Sequence, residues 1–233
     1  MTSPPNDQAN PFDDVAHDYV GDLNRNLRLA GGDSRFFYDA KLSLIQSKLS
    51  ERPRAVLDFG CGVGILTRML ADSFTEATVC GFDPSTEEIR VARELSTEYG
   101  ARLRFESHFD PGSIRADIAV AAGVFHHIAP AQKQPSLTRL YDSLESGGRL
   151  FVFEHNPISP LTRIIVAMAK VDRGATLVSA RAMKTMAANS GFSEVEVSYI
   201  SFFPPFLRVS AKWEHHLRAI PLSAQYMLTA RKP

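Results

Sequence analysis

The chain is poor in cysteine and has no surplus of charge of either sign. Of its 233 residues only two, Cys61 and Cys80, are cysteines, which is too few for a disulfide framework. Lysine and arginine together number 26, as do aspartate and glutamate. A basic surplus is the usual mark of nucleic-acid binding, so we expect no nucleic-acid partner.

Long apolar stretches are missing as well. No apolar run approaches the roughly 18 residues that a membrane-spanning helix requires. The opening segment, MTSPPNDQANPFDD, has neither the basic nor the apolar region of a secretory signal. These absences predict a cytoplasmic protein without a membrane partner, and the length suits one α/β domain acting as a monomer or homodimer.

The sequence does contain short buried strands that alternate with amphipathic helices. Ser85 and Glu88 form a capping box that predicts a helix reaching about Tyr99. An apolar stripe ending at Leu144 predicts a later helix that stops at Gly147 and Gly148. Such alternation is typical of a parallel sheet with both faces covered. The predicted strands are Ala55–Phe59, Ala77–Phe82, Leu103–Glu106, Asp117–Ala122, Arg149–Glu154, Glu194–Phe203 and Gln225–Arg231.

The most informative segment is a strand that runs into three closely spaced glycines, Val56–Gly64. Glycines let a ligand approach the backbone, and the first strand-to-helix turn of an open α/β sheet lies where ligands bind. The spacing is G-x-G-x-G, since Ile65 occupies the third glycine position of a dinucleotide fingerprint. Asp58 suits a cationic or hydroxyl-bearing ligand better than a pyrophosphate, and Asp83 can accept hydrogen bonds from ribose hydroxyls.

These motifs resemble those of the class I S-adenosylmethionine-dependent methyltransferases. The likeness runs in order through VLDFGCGVG at 56–64, GFDPS at 81–85, AAGVFHHI at 121–128 and LESGGRLFVFEHNP at 144–157. It implies a Rossmann-like, doubly wound α/β sheet of seven strands, mostly parallel with an antiparallel last strand, and helices on both faces. It also implies S-adenosyl-L-methionine as cofactor, with methyl transfer to an oxygen, nitrogen or carbon of a small metabolite or natural product.

The order of predicted elements divides a single domain, residues 1–233, into four parts. A leader and helical cap spans 1–52, the cofactor-binding core 53–157, an inserted lid 158–176, and the C-terminal part of the sheet 177–233. The lid is further indicated by Ser159 and Pro160, which form a helix start before an apolar stripe.

Individual residues inherit roles around the cofactor from the same resemblance. Asp58 would lie near the methionine amino group, Asp83 would hold the ribose, and Pro84 would flank the adenine. Phe109 or Asp110 would take the adenine-side place after the third strand, where ESHFD departs from the family pattern. The positions that share a predicted cofactor role are Asp58, Gly60, Cys61, Gly62, Asp83, Pro84, Phe109, Gly123 and Tyr19.

An aromatic ring near the sulfonium is also implied, because a π-face favours a cation. Tyr19 is the predicted ring, with Phe12, Phe37 and Tyr38 also available, and ordinary core packing is the alternative for each. Cys61 is predicted to be a small loop residue and not a nucleophile.

Histidines and a glutamate follow the fourth and fifth strands and are predicted to face one crevice beside the cofactor's sulfur. His127 is the first candidate for a general base or substrate partner, because imidazole titrates in the right range. His126 is the second, with capping of backbone as its structural alternative. Glu154 and His155 either contact substrate or make structural hydrogen bonds. No metal is predicted, since these pairs lack the one-face spacing of helical metal motifs.

Other function classes compete with the enzyme. A non-catalytic S-adenosylmethionine-binding sensor or scaffold would carry the same glycine loop and Asp83. A nicotinamide oxidoreductase is disfavoured by the glycine spacing. A DNA amino-methyltransferase is disfavoured because Gly123–His126 stands where its Asn/Asp-Pro-Pro-aromatic motif would be.

Overall fold

The structure is a computed structural model, and it describes residues 34–160, 162, 175–202 and 214–233. Seven strands form one sheet: β1 (Ala55–Phe59), β2 (Thr78–Phe82), β3 (Leu103–Glu106), β4 (Ala116–Ala122), β5 (Leu144–His155), β6 (Ser193–Ile200) and β7 (Gln225–Arg231). The α-helices within these residues are α1 (Ser34–Ser47), α2 (Ile65–Ser73), α3 (Thr86–Glu94), α4 (Pro130–Ser143), α5 (Ala180–Asn189) and α6 (Glu214–Leu217). Short 3₁₀ turns occupy Thr97–Arg102 and Pro111–Ser113.

The sheet has the order β3-β2-β1-β4-β5-β7-β6. All neighbours pair in parallel except β7, which is antiparallel to both β5 and β6. The predicted fold class is therefore confirmed, including the antiparallel last strand. The strand order reverses between β1 and β4, and ligands of open α/β sheets bind at the carboxyl ends of strands at such a point.

Each face of the sheet carries a hydrophobic core because successive strand residues point to opposite faces. Leu57 and Val152 pack with residues of α4 and α5, whereas Val56 and Phe153 pack with residues of α1, α2 and α3. This burial on both faces explains why the strands read as nearly continuous apolar runs. The polar side chains concentrate where the strands end.

Two helix boundaries were predicted wrongly. The helix that opens at Ser85 ends at Glu94, short of Tyr99, and continues only as a 3₁₀ turn containing Gly100 in a non-helical conformation. Helix α4 ends at Ser143, because Leu144 is already extended and begins β5.

Strand β5 is consequently longer than predicted and passes through both glycines that looked like a helix terminator. Leu144 pairs with Ala116 of β4 across a local shift in register. A Cβ atom at Gly148 would lie 2.8 Å from the Glu145 carbonyl oxygen and 3.2 Å from that of Ala116. Glycine is needed here to let the strand pass close to its neighbour.

The last predicted boundaries are only partly within the described residues. Strand β6 ends at Ile200, earlier than the predicted Phe203, which lies outside them. Most of the predicted lid, 158–176, also lies outside them, and the four-part division of the chain stays a prediction. Over the portion of the chain that the structure describes, no helix has the length and apolar character to cross a bilayer.

Candidate functional site

The glycine loop after β1 is tied by its own backbone to the end of β2. The amides of Gly60 and Cys61 both donate to the Phe82 carbonyl oxygen, at 2.7 and 2.9 Å. The Gly62 amide donates to Asp83 Oδ2 and the Ser85 amide to Asp83 Oδ1, both at 3.0 Å. The predicted loop residues and Asp83 are therefore brought together at one point of the sheet edge.

Gly60 lets this loop touch the segment after β4. It has φ +75°, and a Cβ there would lie 2.5 Å from Val124 Cγ2. Both the left-handed backbone and the close approach require glycine. Gly123 lies beside this contact, and its amide donates to the Phe153 carbonyl oxygen at 2.8 Å. The carboxyl ends of β1, β4 and β5 thus meet at the loop.

Three carboxylates are buried around the loop: Asp58 is 2% exposed, Asp83 8% and Glu88 3%. Asp58 Oδ2 accepts a 2.7 Å hydrogen bond from the Thr67 hydroxyl. Glu88 Oε2 would lie 3.6 Å from a Cβ at Gly62. The surroundings of the glycine loop are therefore strongly acidic.

The pKa of Asp58 shows the cost of this crowding. Burial raises the pKa most, and the charge of Asp83 raises it further. The hydrogen bond from Thr67 and the charge of Lys41 lower it, and the net pKa is about 7. A carboxyl group that loses its charge near neutral pH lacks sufficient positive charge nearby. A cationic ligand in the crevice would supply that charge.

Glu88 and Tyr38 also belong to this part of the site, and of the two only Tyr38 was among the candidates from the sequence, as one of the rings available near the sulfonium. Glu88 was predicted only as half of a capping box, and the Ser85 hydroxyl does accept its amide at 3.1 Å. The pKa of Tyr38 is raised to about 12 by burial and then by the carboxylates of Asp58 and Glu88. Tyr38 on α1 is thus a ring that the structure places near the acidic loop.

Four other predicted cofactor positions have different surroundings. Cys61 is half-buried, and burial followed by the nearby carboxylates raises its thiol pKa well above the ordinary value, which argues against a thiolate nucleophile. Pro84 is exposed beside Asp83. Phe109 is a core residue, 3% exposed, and its place beside the adenine stays a prediction. Tyr19 lies outside the described residues.

The core packing of Phe109 has a clear physical origin. Its ring centroid is 5.1 Å from that of Phe59 and 5.0 Å from that of Phe82. The Arg139 guanidinium lies over the ring at 4.7 Å and donates to the Phe109 carbonyl oxygen. These contacts show that Phe109 packs the segment after β3 against the ends of β1 and β2.

The four predicted catalytic residues are also brought together. His126 Nδ1 lies 2.7 Å from Glu154 Oε2, and the Phe125 amide donates to Glu154 Oε1 at 2.6 Å. The ring of His126 lies 4.1 Å from that of His127 and 4.9 Å from that of His155, between centroids. His126 and Glu154 are fully buried, whereas His127 and His155 are half-buried.

Glu154 is an anion despite its burial. Burial alone would raise its pKa, but the charge and hydrogen bond of His126, the charge of His155 and the Phe125 amide outweigh burial and lower it. An ionised carboxylate only accepts hydrogen bonds, so His126 Nδ1 carries the proton that lies between them. Glu154 thereby fixes the orientation of the His126 ring. Structural hydrogen bonding, one of the two alternatives for Glu154, is what these contacts show.

Lys41 of α1 is the site residue that sequence reasoning missed altogether. It is 9% exposed, and its ammonium lies 5.2 Å from the ring centroid of Tyr38 and 5.9 Å from that of Phe153. A signal was present, because Lys41 stands three residues after Tyr38 on the stripe that also contains Leu42 and Ile45. A charged residue within an apolar stripe is unusual.

The central part of the chain is similar to known protein families. Residues 57–150 match a family model described as a methyltransferase domain. A trans-aconitate 2-methyltransferase of Rhodopseudomonas palustris (strain BisB5) is 35% identical over 100 residues, which cover 43% of this chain and 38% of that protein. A carboxy-S-adenosyl-L-methionine synthase of Campylobacter lari is 26% identical over 123 residues, covering 51% and 53%. The chain thus matches only about two fifths to one half of the length of these relatives.

Solved structures share the fold over most of the chain. A phosphoethanolamine N-methyltransferase 2 of Haemonchus contortus, in complex with S-adenosyl-L-methionine, has a TM-score of 0.64 at 20% identity, covering 97% of this chain and 59% of that one. An S-adenosylmethionine-dependent methyltransferase of Archaeoglobus fulgidus has a TM-score of 0.65 at 17% identity, covering 86% and 95%. At these identities the likeness establishes the fold.

Proposed function

Because residues 57–150 match a family model described as a methyltransferase domain, we propose that the chain is a class I S-adenosylmethionine-dependent enzyme that methylates a small molecule on oxygen, nitrogen or carbon. The observation that carries the proposal is the acidic glycine cradle formed by Asp58, Gly62 and Asp83. Its buried carboxylates and missing Cβ atoms fit a cationic nucleoside held close to the backbone.

S-Adenosylmethionine, when bound, supplies a methyl group that its sulfonium makes electrophilic. Within the cradle, Asp58 would pair with the methionine ammonium and Asp83 would accept from the ribose hydroxyls. Tyr38 would present its ring to the positive end of the ligand. The Asp58 pKa of about 7 fits this role, since a neighbouring cation favours the ionised carboxylate.

We assign the acceptor side of the crevice to the histidine cluster. His127 is half-buried and is the group proposed to touch the acceptor and receive its proton. His126, held by Glu154 at 2.7 Å, packs against the His127 ring and keeps it in place. Such a base contributes about 10²–10⁴-fold to a rate, and alignment of acceptor and methyl group contributes the rest.

A small molecule is the acceptor class that the chain supports best. The relatives named trans-aconitate 2-methyltransferase act on a small organic acid, and the charge balance of 26 basic to 26 acidic residues does not favour a nucleic acid.

Calorimetric titration with S-adenosylhomocysteine tests the cradle. Asp83→Ala should weaken binding about 10- to 100-fold, because two charge-assisted hydrogen bonds to the ligand are lost. Asp142→Ala is the matched control, since Asp142 is an exposed carboxylate near the end of α4. Equal affinities for the wild type and the Asp83 variant would remove the ribose assignment.

Turnover tests the catalytic half of the proposal separately. With an acceptor found by screening radiolabelled methyl transfer to metabolites, His127→Ala should lower kcat about 100-fold or more while S-adenosylhomocysteine affinity changes less than threefold. Unchanged kcat would exclude His127 as a base. Binding of the cofactor with no transfer to any acceptor would instead favour the sensor or scaffold alternative.

A further inference from the structure

Lys41 is a buried cation to which the proposed mechanism assigns no role. Nine-tenths of the residue is covered, and within the described residues its ammonium makes only the two aromatic contacts with Tyr38 and Phe153. Burial removes the hydration of an ammonium, and this desolvation cost is offset only if a charged or hydrogen-bonding partner replaces the lost water. Cation–π contacts with the two rings offset part of that loss but supply no hydrogen-bond acceptor.

The two carboxylates that act on Lys41 are both engaged elsewhere. Glu154 accepts from His126 and the Phe125 amide, and Asp58 accepts from Thr67. Burial lowers the pKa of Lys41 most, Glu154 and Asp58 oppose this, and the result is about 8. The charges of these two acids therefore offset only part of the pKa decrease that burial causes at Lys41.

The position of Lys41 is what gives the cation a function. It lies 5.9 Å from the ring centroid of Phe153 near the end of β5, and the charges of Asp58 and Glu154 both act on it. Asp58 belongs to one half of the proposed site and Glu154 to the other. A ligand that reaches from one half to the other would bring an anionic group within reach of the ammonium.

We propose that Lys41 Nζ binds a carboxylate group of a small molecule in this crevice, forming a charge-assisted hydrogen bond. The inference rests on the proposed function, because it places the ligand in the same site. A carboxylate is available from two sources, the methionine moiety of the cofactor or the acceptor itself. Either one supplies the partner that the described residues do not provide.

The test compares Lys41→Met, which keeps length and removes charge, with Lys41→Arg, which keeps the charge. Lys48→Met is the matched control, since Lys48 follows the same helix but pairs with Glu196 at 3.0 Å. Calorimetry would use S-adenosylhomocysteine, 5′-methylthioadenosine, which lacks the amino-acid part, and the carboxylates succinate, benzoate and trans-aconitate on cofactor-loaded protein. Thermal melting would verify that each variant is folded.

The outcomes separate the two sources. A loss of about 10- to 100-fold for S-adenosylhomocysteine in Lys41→Met, with methylthioadenosine unchanged, assigns the carboxylate to the cofactor. Unchanged S-adenosylhomocysteine affinity with loss of carboxylate binding assigns it to the acceptor. Lys41→Arg should retain at least part of the affinity in either case. If Lys41→Met binds all the probes within twofold of the wild type, the proposal is overturned.

Proton uptake gives a second readout that a merely structural lysine would not move. At pH 8.5 the ammonium is largely deprotonated, so carboxylate binding should take up about 0.5–1 proton, measured from the buffer dependence of the binding heat. Lys41→Met should show none of this component. Failure of the wild type to bind S-adenosylhomocysteine at all would instead refute the proposed function, so the two failures are distinguishable.

Discussion

The two halves of the crevice are built in different ways. In the half formed by the glycine loop and the start of α3, the backbone amides of Gly62 and Ser85 hold Asp83 at 3.0 Å. The half around Glu154 uses side chains from the β4–α4 segment, from β5 and, through Lys41, from α1, and His126 holds Glu154 at 2.7 Å. Backbone-built sites tolerate changes of neighbouring side chains, whereas a site built from side chains depends on every partner.

The largest effect that would test this contrast is expected at Glu154. Its replacement by Ala leaves the Phe125 amide and the His126 ring without their buried acceptor. Removing one partner of a buried charged pair costs about 3–5 kcal/mol, so the free energy of unfolding in denaturant should fall by that order. Glu145→Ala, at an exposed position of the same strand, should change it by less than about 0.5 kcal/mol. Equal denaturant midpoints for the wild type and Glu154→Ala would contradict the contrast.

The same contrast explains how much could be predicted from sequence. Asp58, the glycines and Asp83 were found because a loop built by backbone needs glycine at fixed spacing, and spacing is visible in a sequence. Lys41 was missed because nothing local distinguishes it from a surface lysine except its place in the stripe with Tyr38. The pairing of His126 with Glu154 joins residues 28 positions apart, and only the parallel register of β4 and β5 brings them into contact.

The predicted boundary between α4 and β5 was wrong because strand pairing outweighed the local preference for helix. Leu144 continues the apolar stripe of α4, yet its pairing with Ala116 makes it the first residue of β5. Gly147 and Gly148 are ordinary helix terminators by type, but here Gly147 has a left-handed φ of +81° and Gly148 allows close strand contact. The pairing of Leu144 with Ala116 is not visible in the local sequence, so strand could not be predicted over helix at this point.

A smaller effect is expected in the glycine-built half at Gly60. Ala at this position combines an unfavourable φ with a Cβ 2.5 Å from Val124, and we expect a loss of about 2–3 kcal/mol in unfolding free energy and at least tenfold in S-adenosylhomocysteine affinity. Gly100→Ala isolates the backbone cost, because Gly100 has φ +56° with nothing within 4 Å of its Cβ position. It should cost only about 1 kcal/mol.

A second substitution separates the two causes at Gly60. Val124→Ala in the Gly60→Ala background removes the two closest atoms, Cγ1 and Cγ2, but leaves the Cβ at 3.2 Å and the strained φ, so it should recover part of the lost stability, measured as a double-mutant cycle. Absence of any coupling between positions 60 and 124 would show that the loop after β1 does not press on the segment after β4.

The smallest effect on stability, and the one with an opposite sign, is expected at Asp58. Its pKa is raised from the ordinary 3.8 to about 7, first by burial, so the folded protein binds more protons than the unfolded chain between these values. Stability contributed by the protonated carboxyl is therefore present below pH 4 and is lost as the pH rises through 7. Asn lacks this titration and can still accept from Thr67, so Asp58→Asn should be more stable than the wild type at pH 8, by about 1–3 kcal/mol.

The same variant should bind S-adenosylhomocysteine about tenfold more weakly, because the carboxylate proposed to pair with the ligand's ammonium has lost its charge. Denaturant unfolding at pH 5 and pH 8 measures the first effect, and the advantage of the variant should shrink at the lower pH. A variant that is less stable at pH 8 yet binds the cofactor normally would mean that Asp58 serves the fold and not the ligand, and the difference between the two halves of the crevice would then disappear.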